Sequence, residues 1–410
     1  MSEFYKLRNK VRHYDWGSPV DIPRLMGFKA DGTPWAELWI GSHSGSPSIL
    51  ESSDGITLGD LIARDPRRYI GEETARRYGA LPFLLKLLSA EKPLSIQAHP
   101  NLAQAREGFE RENRAGLAVD SPERNYKDSN HKPEIIAALT PFTGLCGFRG
   151  VDEILRHLEG FLETAPPVLR EGFAPLTRAL SSHDSAAALR DFLAGLFGLS
   201  KTARAALGEY VLSINELPPD CEPELMQDLA RLYPGDPAII APIYLNVFRL
   251  EPGEAVFLEA GVLHAYIHGF GVELMANSDN VLRGGLTGKY VDVPELMKIL
   301  DFKPFKPLLI TPNASYFSYP IPCEEFSLTR IRGSGVTETW PPHEGVAALG
   351  SPALCIVTEG ELILADKGVE TVVIQGESLF IPPVKKSPLS LKGNFTLFIA
   401  SIGHRHENTG

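Results

Sequence analysis

Cysteine is scarce in this chain: four in 410 residues, at positions 146, 221, 323 and 355. They lie far apart and never form a C-x-x-C pair, which excludes a disulfide scaffold and a thiolate zinc site and fits a reducing compartment. Long apolar runs are missing as well. The longest, Ile239 to Val247, is broken by Pro242 and Asn246, well short of the roughly 18 residues of a membrane span. The opening stretch MSEFYKLRNKVRHYDW has no apolar core of the kind a signal peptide needs. A cytoplasmic protein with no membrane partner is the expectation. Positive charge is in deficit, with 40 Lys and Arg against 51 Asp and Glu, a net charge of −11. That balance gives no reason to expect nucleic acid as a partner, and any bound anion must be met by a local cluster of cations. Neither G-x-G-x-x-G nor G-x-x-x-x-G-K-[ST] occurs, so neither nucleotide-binding motif is present.

What is present is an ordinary globular composition, 43% hydrophobic and 22% charged, long enough for two or three domains. Residues 1–150 are rich in Gly and Pro, with short apolar runs such as ALPFLLKLLSA and PLSIQAHP that suit strands. From Val151 the period changes. Val151, Ile154, Leu155, Leu158, Phe161 and Leu162 fall at helical offsets, and the Ala- and Leu-rich stretches that follow, with Pro223 at a helix start, predict an α-helical insert over 151–235. Strand-type sequence returns over 236–310 and again over 311–410, with short β-branched and aromatic runs between turn glycines. The fold class expected is mainly β with a helical insert: antiparallel sandwich or jelly-roll domains plus an α-helical domain. GEAVFLEAG at 253–261 resembles GESLFIPPV at 376–384, so one strand–turn unit occurs twice. Eleven residues past Gly253 the first copy reaches His264, whereas the same count from Gly376 lands on Ser387. Only the first copy is expected to hold a metal.

Three segments carry chemistry. In SIQAHP, Gln97 and His99 are separated by one residue and share a strand face, so an amide oxygen and an imidazole nitrogen aim at one point. In NYKDSNHKPEIIAAL, residues 125–139, Asp128, His131, Lys132 and Glu134 crowd onto the approach to an apolar run, an expensive arrangement unless paired or coordinated. From Glu259, His264 and His268 stand among glycines in a β-branched context, which favours strand over helix. Glu273, Asn277, Asp279, Asn280, Arg283 and Lys289 follow and suit a polar pocket wall. Gln97, His99, Glu134 and His264 together make a two-histidine, one-carboxylate, one-amide set that suits Zn²⁺, Fe²⁺ or Mn²⁺.

Q-A-H-P at 97–100, N-H-K-P-E at 130–134, HAY…ANSDNVLRGGLT…K at 264–289, YDWGS at 14–18 and AELWIGSHSGSPS at 36–48 resemble the type I phosphomannose isomerase family. The motifs run in matching order to about residue 300. The resemblance implies cupin-type jelly rolls, one Zn²⁺ held by Gln97, His99, Glu134 and His264, an essential Arg283, and interconversion of mannose 6-phosphate and fructose 6-phosphate. The chain departs from the family's A-H-P with Ser42-His43-Ser44. His268 stands outside the shared ligand pattern. A monomer acting on a phosphosugar is expected. A cis-enediol route needs a base, for which Lys132, His131 and Glu273 are candidates. Tyr266 would bond a sugar hydroxyl. Lys86, set in the apolar FLLKLLS run, is a further site candidate. Arg283, Lys289, Lys132 and Lys86 are available for the phosphate. A non-catalytic sugar-binding cupin and an iron cupin oxygenase are the alternative readings.

Overall fold

The structure is a computed structural model, described here for residues 4–214, 219–335, 338–340, 351–366, 368–383 and 389–403. It contains two antiparallel sheets, of eleven and nine strands. The larger is built around the strand Phe83–Ala90, whose eight residues are all buried. That strand lies between Glu37–Ile40 and the long strand His264–Ala276, and a strand covered on both faces reads as a near-continuous apolar run. Lys86, in its middle, is the one charged residue in it.

The long strand does two jobs. Its second part, from Gly269, pairs with Phe83–Ala90 and with Glu134–Ala138. Its first residues pair instead with Phe142–Phe148 and Gln97. The change of partners falls at Gly269, where φ is +129° and a Cβ would lie 2.7 Å from the Phe142 ring. Only glycine accepts both that backbone and that approach. His264 is thereby carried opposite Gln97 of Ile96–Ala98, a strand that also pairs with Leu282–Gly285, while Glu273 stays in register with Lys86 on the neighbouring strand.

Helices Val151–Leu162, Pro167–Leu180, Ser185–Phe197, Lys201–Ser213 and Pro223–Leu232 follow the period change seen in the sequence. Val151, Ile154, Leu158, Phe161 and Leu162 are buried, and Pro223 occupies the first turn of its helix. Their apolar faces share one core with Ile96, Ala98, Leu145, Leu263 and Leu282. The helices therefore back the strands that carry Gln97, His264 and Arg283.

The smaller sheet is formed mainly by Ser327–Ser334, Ala353–Asp366, Ser378–Ile381 and Leu389–Ser401. Two N-terminal strands join it, Tyr5–Arg8 against Ser378–Phe380 and Ile49–Leu50 against Tyr5–Arg8. A division by composition does not anticipate that placement. The two sheets share a core in which Leu38, Leu85 and Val272 meet Leu354, Phe380 and Phe398. Both copies of the repeated unit open on a left-handed glycine, Gly253 at +95° and Gly376 at +87°. Each leads into a four-residue strand, Ala255–Leu258 or Ser378–Ile381. Ser387 lies outside the described residues. All four cysteines are free and buried. No helix among the described residues is long and apolar enough to cross a membrane.

Candidate metal centre and active site

Glu134 opens its strand directly after Pro133, and one carboxylate oxygen faces each of two imidazoles. Oε1 lies 3.5 Å from His99 Nε2, and Oε2 lies 3.5 Å from His264 Nε2. All three residues are buried, at 0–1% exposure, and their ligand atoms lie within 4.8 Å of one another. The tautomers follow from the other ring nitrogens. His99 Nδ1 is 2.7 Å from the Asn280 carbonyl and His264 Nδ1 is 3.0 Å from the Val262 carbonyl. A carbonyl oxygen can only accept, so both Nδ1 atoms carry the proton and both Nε2 atoms present lone pairs. His99 Nε2, His264 Nε2 and Glu134 Oε2 have no hydrogen-bond partner among the described residues. Three buried acceptors converging without a donor are costly unless a cation lies among them. Two nitrogens and a carboxylate are a donor set that suits zinc.

The surroundings sharpen this. Burial pushes the His99 imidazole down to about 4, and the Lys132 ammonium adds to the effect, keeping the ring neutral as a ligand must be. Burial would push the Glu134 carboxyl up, but the Lys132 ammonium, 2.8 Å from Oε1, and the two imidazoles hold it well below its ordinary value. Gln97 stands in register opposite both His264 and Arg283. It is half-buried and lines a cavity of about 450 Å³ together with Trp16, Ser95, Arg283, Thr287 and Lys289.

A second buried cluster sits on the neighbouring strands. Lys86 Nζ lies 3.0 Å from Glu273 Oε2 and 3.5 Å from Glu37 Oε1, and 5.1 Å over the Trp39 ring. Trp39 Nε1 donates to Glu37 Oε2 at 2.8 Å. Burial would pull the lysine down, but the Glu273, Glu37 and Glu134 carboxylates hold it above its usual value. Glu273 is raised by burial, against the pull of Lys86. Tyr266 is buried two residues beyond His264, and burial together with Glu273 raises its hydroxyl well above the ordinary value.

The sequence candidates thus divide. His99, Glu134, His264 and Lys132 meet at one point. Gln97 and Arg283 line the adjoining cavity, and Lys86, Glu273 and Tyr266 form the neighbouring cluster. His131 lies apart from these groups: its Nε2 is 3.0 Å from Glu325 Oε1. Neighbouring residues of an extended chain point opposite ways, and Lys132 takes the inward direction. His268 is exposed. His43 accepts from the Gly45 N–H, stands edge-on to Trp39 and lies 3.6 Å from Asp279. Burial lowers its imidazole. Glu37 escaped the sequence reading, although Glu37-Leu38-Trp39 has the same one-residue spacing as Gln97-Ala98-His99.

This arrangement, with a His–Glu–His cluster beside a buried lysine–carboxylate group and a cationic cavity, defines a metal-dependent enzyme site. The phosphomannose isomerase type I catalytic domain family matches residues 4–151. Mannose-6-phosphate isomerase of Escherichia coli K12 is 37% identical over 95% of this chain and 97% of its own length. The Homo sapiens protein of the same name is 34% identical over 97% and 93%. A solved structure of mannose 6-phosphate isomerase, holo and zinc bound, superposes with a TM-score of 0.85 at 35% identity, covering 98% of this chain and all of that one. The chain belongs to the type I phosphomannose isomerase family.

Proposed function

We infer that this chain is a zinc-dependent aldose–ketose isomerase that interconverts mannose 6-phosphate and fructose 6-phosphate through a cis-enediol. The observation that carries the reading is the convergence of His99 Nε2, His264 Nε2 and Glu134 Oε2, three buried acceptors without a donor, in a chain of this family. His99, Glu134, His264 and Gln97 would hold the metal. When bound, Zn²⁺ supplies Lewis-acid polarisation of substrate oxygens.

The rest of the chemistry belongs to the side chains. Glu273 takes a proton from one of C1 and C2 and returns it to the other. Its burial-raised proton affinity suits that work, whereas Glu134 is held ionised. Lys86, held by Glu37 and stacked near Trp39, keeps Glu273 oriented and supplies charge beside the enediolate. Lys132 is paired to Glu134 and fixes the ligand carboxylate. Tyr266 meets a sugar hydroxyl. Arg283 and Lys289, on the cavity wall with Gln97, offer the positive charge that a phosphosugar requires on a protein of net charge −11.

The same reading includes cupin-type jelly rolls for both β regions, the four-part division at 1–150, 151–235, 236–310 and 311–410 with Tyr5–Arg8 and Ile49–Leu50 contributed by the first part to the sheet of the last, a monomer, and a cytoplasmic setting. The sugar-binding and iron-oxygenase alternatives have no comparable support. The direct test is conversion of mannose 6-phosphate before chelation, after it, and with zinc restored. Loss and recovery of turnover is the expected result. Absence of conversion by folded, zinc-loaded protein would overturn the reading.

A further inference from the structure

Asn280 is completely buried, and each polar group of its side chain is used. Its Oδ1 accepts from the backbone N–H of Lys127 at 2.7 Å and of Asp128 at 3.2 Å. Its Nδ2 donates to the backbone carbonyls of Asp128 at 2.9 Å and Asn130 at 2.8 Å. The amide can sit only one way round, since a flip would set its oxygen against two carbonyls and its NH₂ against two N–H groups. Ser278 Oγ, which accepts from the Asn280 N–H, and the Asp279 N–H add bonds to the Asp128 carboxylate. The segment 127–130 is thus bound to the turn that follows the His264 strand, although about 150 residues separate the two. The backbone carbonyl of this same Asn280 receives His99 Nδ1–H at 2.7 Å.

We propose that Asn280 is the positioning residue of the metal centre. Through its carbonyl it sets the tautomer and ring angle of His99. Through its side chain it fixes the strand approach that delivers Lys132 and Glu134. Its side chain is not among the converging groups of His99, Glu134 and His264. A group that takes the outer N–H of a metal-bound histidine sets the geometry and basicity of that ligand, and losing such a partner costs about 10–100-fold in metal affinity. Here one residue serves two ligands from different parts of the chain, and Arg283 follows it by three positions on the next strand. The proposal rests on the zinc reading above.

Asn280→Asp is the informative change, being isosteric. It keeps the acceptor toward Lys127 and Asp128 but turns the donor into a carboxylate oxygen facing two carbonyls and the Asp128 carboxylate. Zinc affinity by chelator competition, the visible absorption of the Co²⁺-substituted protein, and kcat and KM are measured on folded protein beside wild type. The backbone carbonyl that holds His99 remains and is only displaced with its turn, so zinc binding weaker by about 10-fold, the low end for an outer partner, a changed Co²⁺ spectrum and a fall in kcat at little-changed KM are expected. A variant with lowered Tm but wild-type zinc affinity and Co²⁺ spectrum would overturn the proposal, since a merely structural role predicts that outcome. Wild-type protein that binds no zinc would instead overturn the metal reading and this inference with it. Should Asn280→Asp fail to fold, Ser278→Ala decides. It removes the hydroxyl that joins Asp128, the Asn130 carbonyl and the Asn280 N–H and leaves the Asn280 side chain intact; a smaller shift of affinity and spectrum in the same direction supports the proposal, while none overturns it.

Discussion

The two halves of the molecule use the same strand–turn unit to opposite ends. After Gly253, the strand Ala255–Leu258 pairs with Glu134–Ala138, and the chain soon arrives at His264. The interior it helps to enclose contains Glu37, Lys86, His99, Lys132, Glu134, His264 and Glu273, all buried. After Gly376, the strand Ser378–Ile381 pairs with Tyr5–Arg8 and Ala353–Ile356. The core on that side packs Ile331, Trp340, Val357, Leu364, Leu379 and Leu397. Burying ions costs several kcal/mol each before pairing recovers it, whereas burying aliphatic side chains is favourable. One region therefore carries the cost of chemistry, while the other supplies apolar cohesion.

The sharpest way to break that contrast is to remove a charge from the first interior. Glu134→Gln should reduce bound zinc, measured by metal analysis after dialysis, and lower turnover by at least the about 10–100-fold that losing an outer partner of a ligand costs. Wild-type zinc stoichiometry would exclude Glu134 from the ligand set. Next in size is a paired test of stability. Lys86→Met leaves Glu37 and Glu273 facing each other without a cation and should cost about 3–5 kcal/mol, with turnover lost. Leu364→Ala in the second core should cost about 2–4 kcal/mol with kcat unchanged at temperatures where the variant is folded. Denaturant melts and steady-state kinetics on both variants separate the two roles. Loss of kcat in folded Leu364→Ala would show that the second half takes part in catalysis.

The smallest effect lies where the halves meet. Burial would raise the Glu325 carboxyl, but His131 and Cys323 hold it down at about 2. A carboxyl whose folded value is depressed stabilises above its unfolded value, near 4.5, and loses that contribution as pH falls toward 2. Glu325→Gln should therefore cost about 1–2 kcal/mol at pH 7, and the gap from wild type should close as pH drops through that window. A gap that does not depend on pH would mean that the ion pair contributes nothing.

Much of the site could be read from residue spacing. Gln97 and His99 share a strand face, Glu134 follows a helix-breaking proline, and the glycines around His264 argue against a helix, so the candidates could be named, although spacing alone does not bring His99, Glu134 and His264 to one point. His131 and Lys132 show where such reading stops. Both stand close to Glu134 in sequence, and nothing local says which one turns inward, because the partner that His131 meets, Glu325, lies 194 positions away. Glu37 had the same one-residue spacing to Trp39 as Gln97 to His99. Its role depends on pairing with the Lys86 strand, a contact that periodicity does not contain. The helices of 151–235 were plain because their apolar faces repeat every three to four residues. The entry of Tyr5–Arg8 into the smaller sheet was not, since register between strands some 370 residues apart leaves no local mark.

That last pairing also sets a timetable for synthesis. Tyr5–Arg8 is made some 370 residues before its partners at Ser378–Phe380. At about 5–20 residues per second, the wait is on the order of 20–75 s. Throughout that time the strand stays unpaired on that edge, and Leu7, buried in the finished fold, lacks its neighbour Ser378. Closing the smaller sheet is therefore a late step for the nascent chain, and the stretch before it is when a ribosome-associated chaperone would matter most.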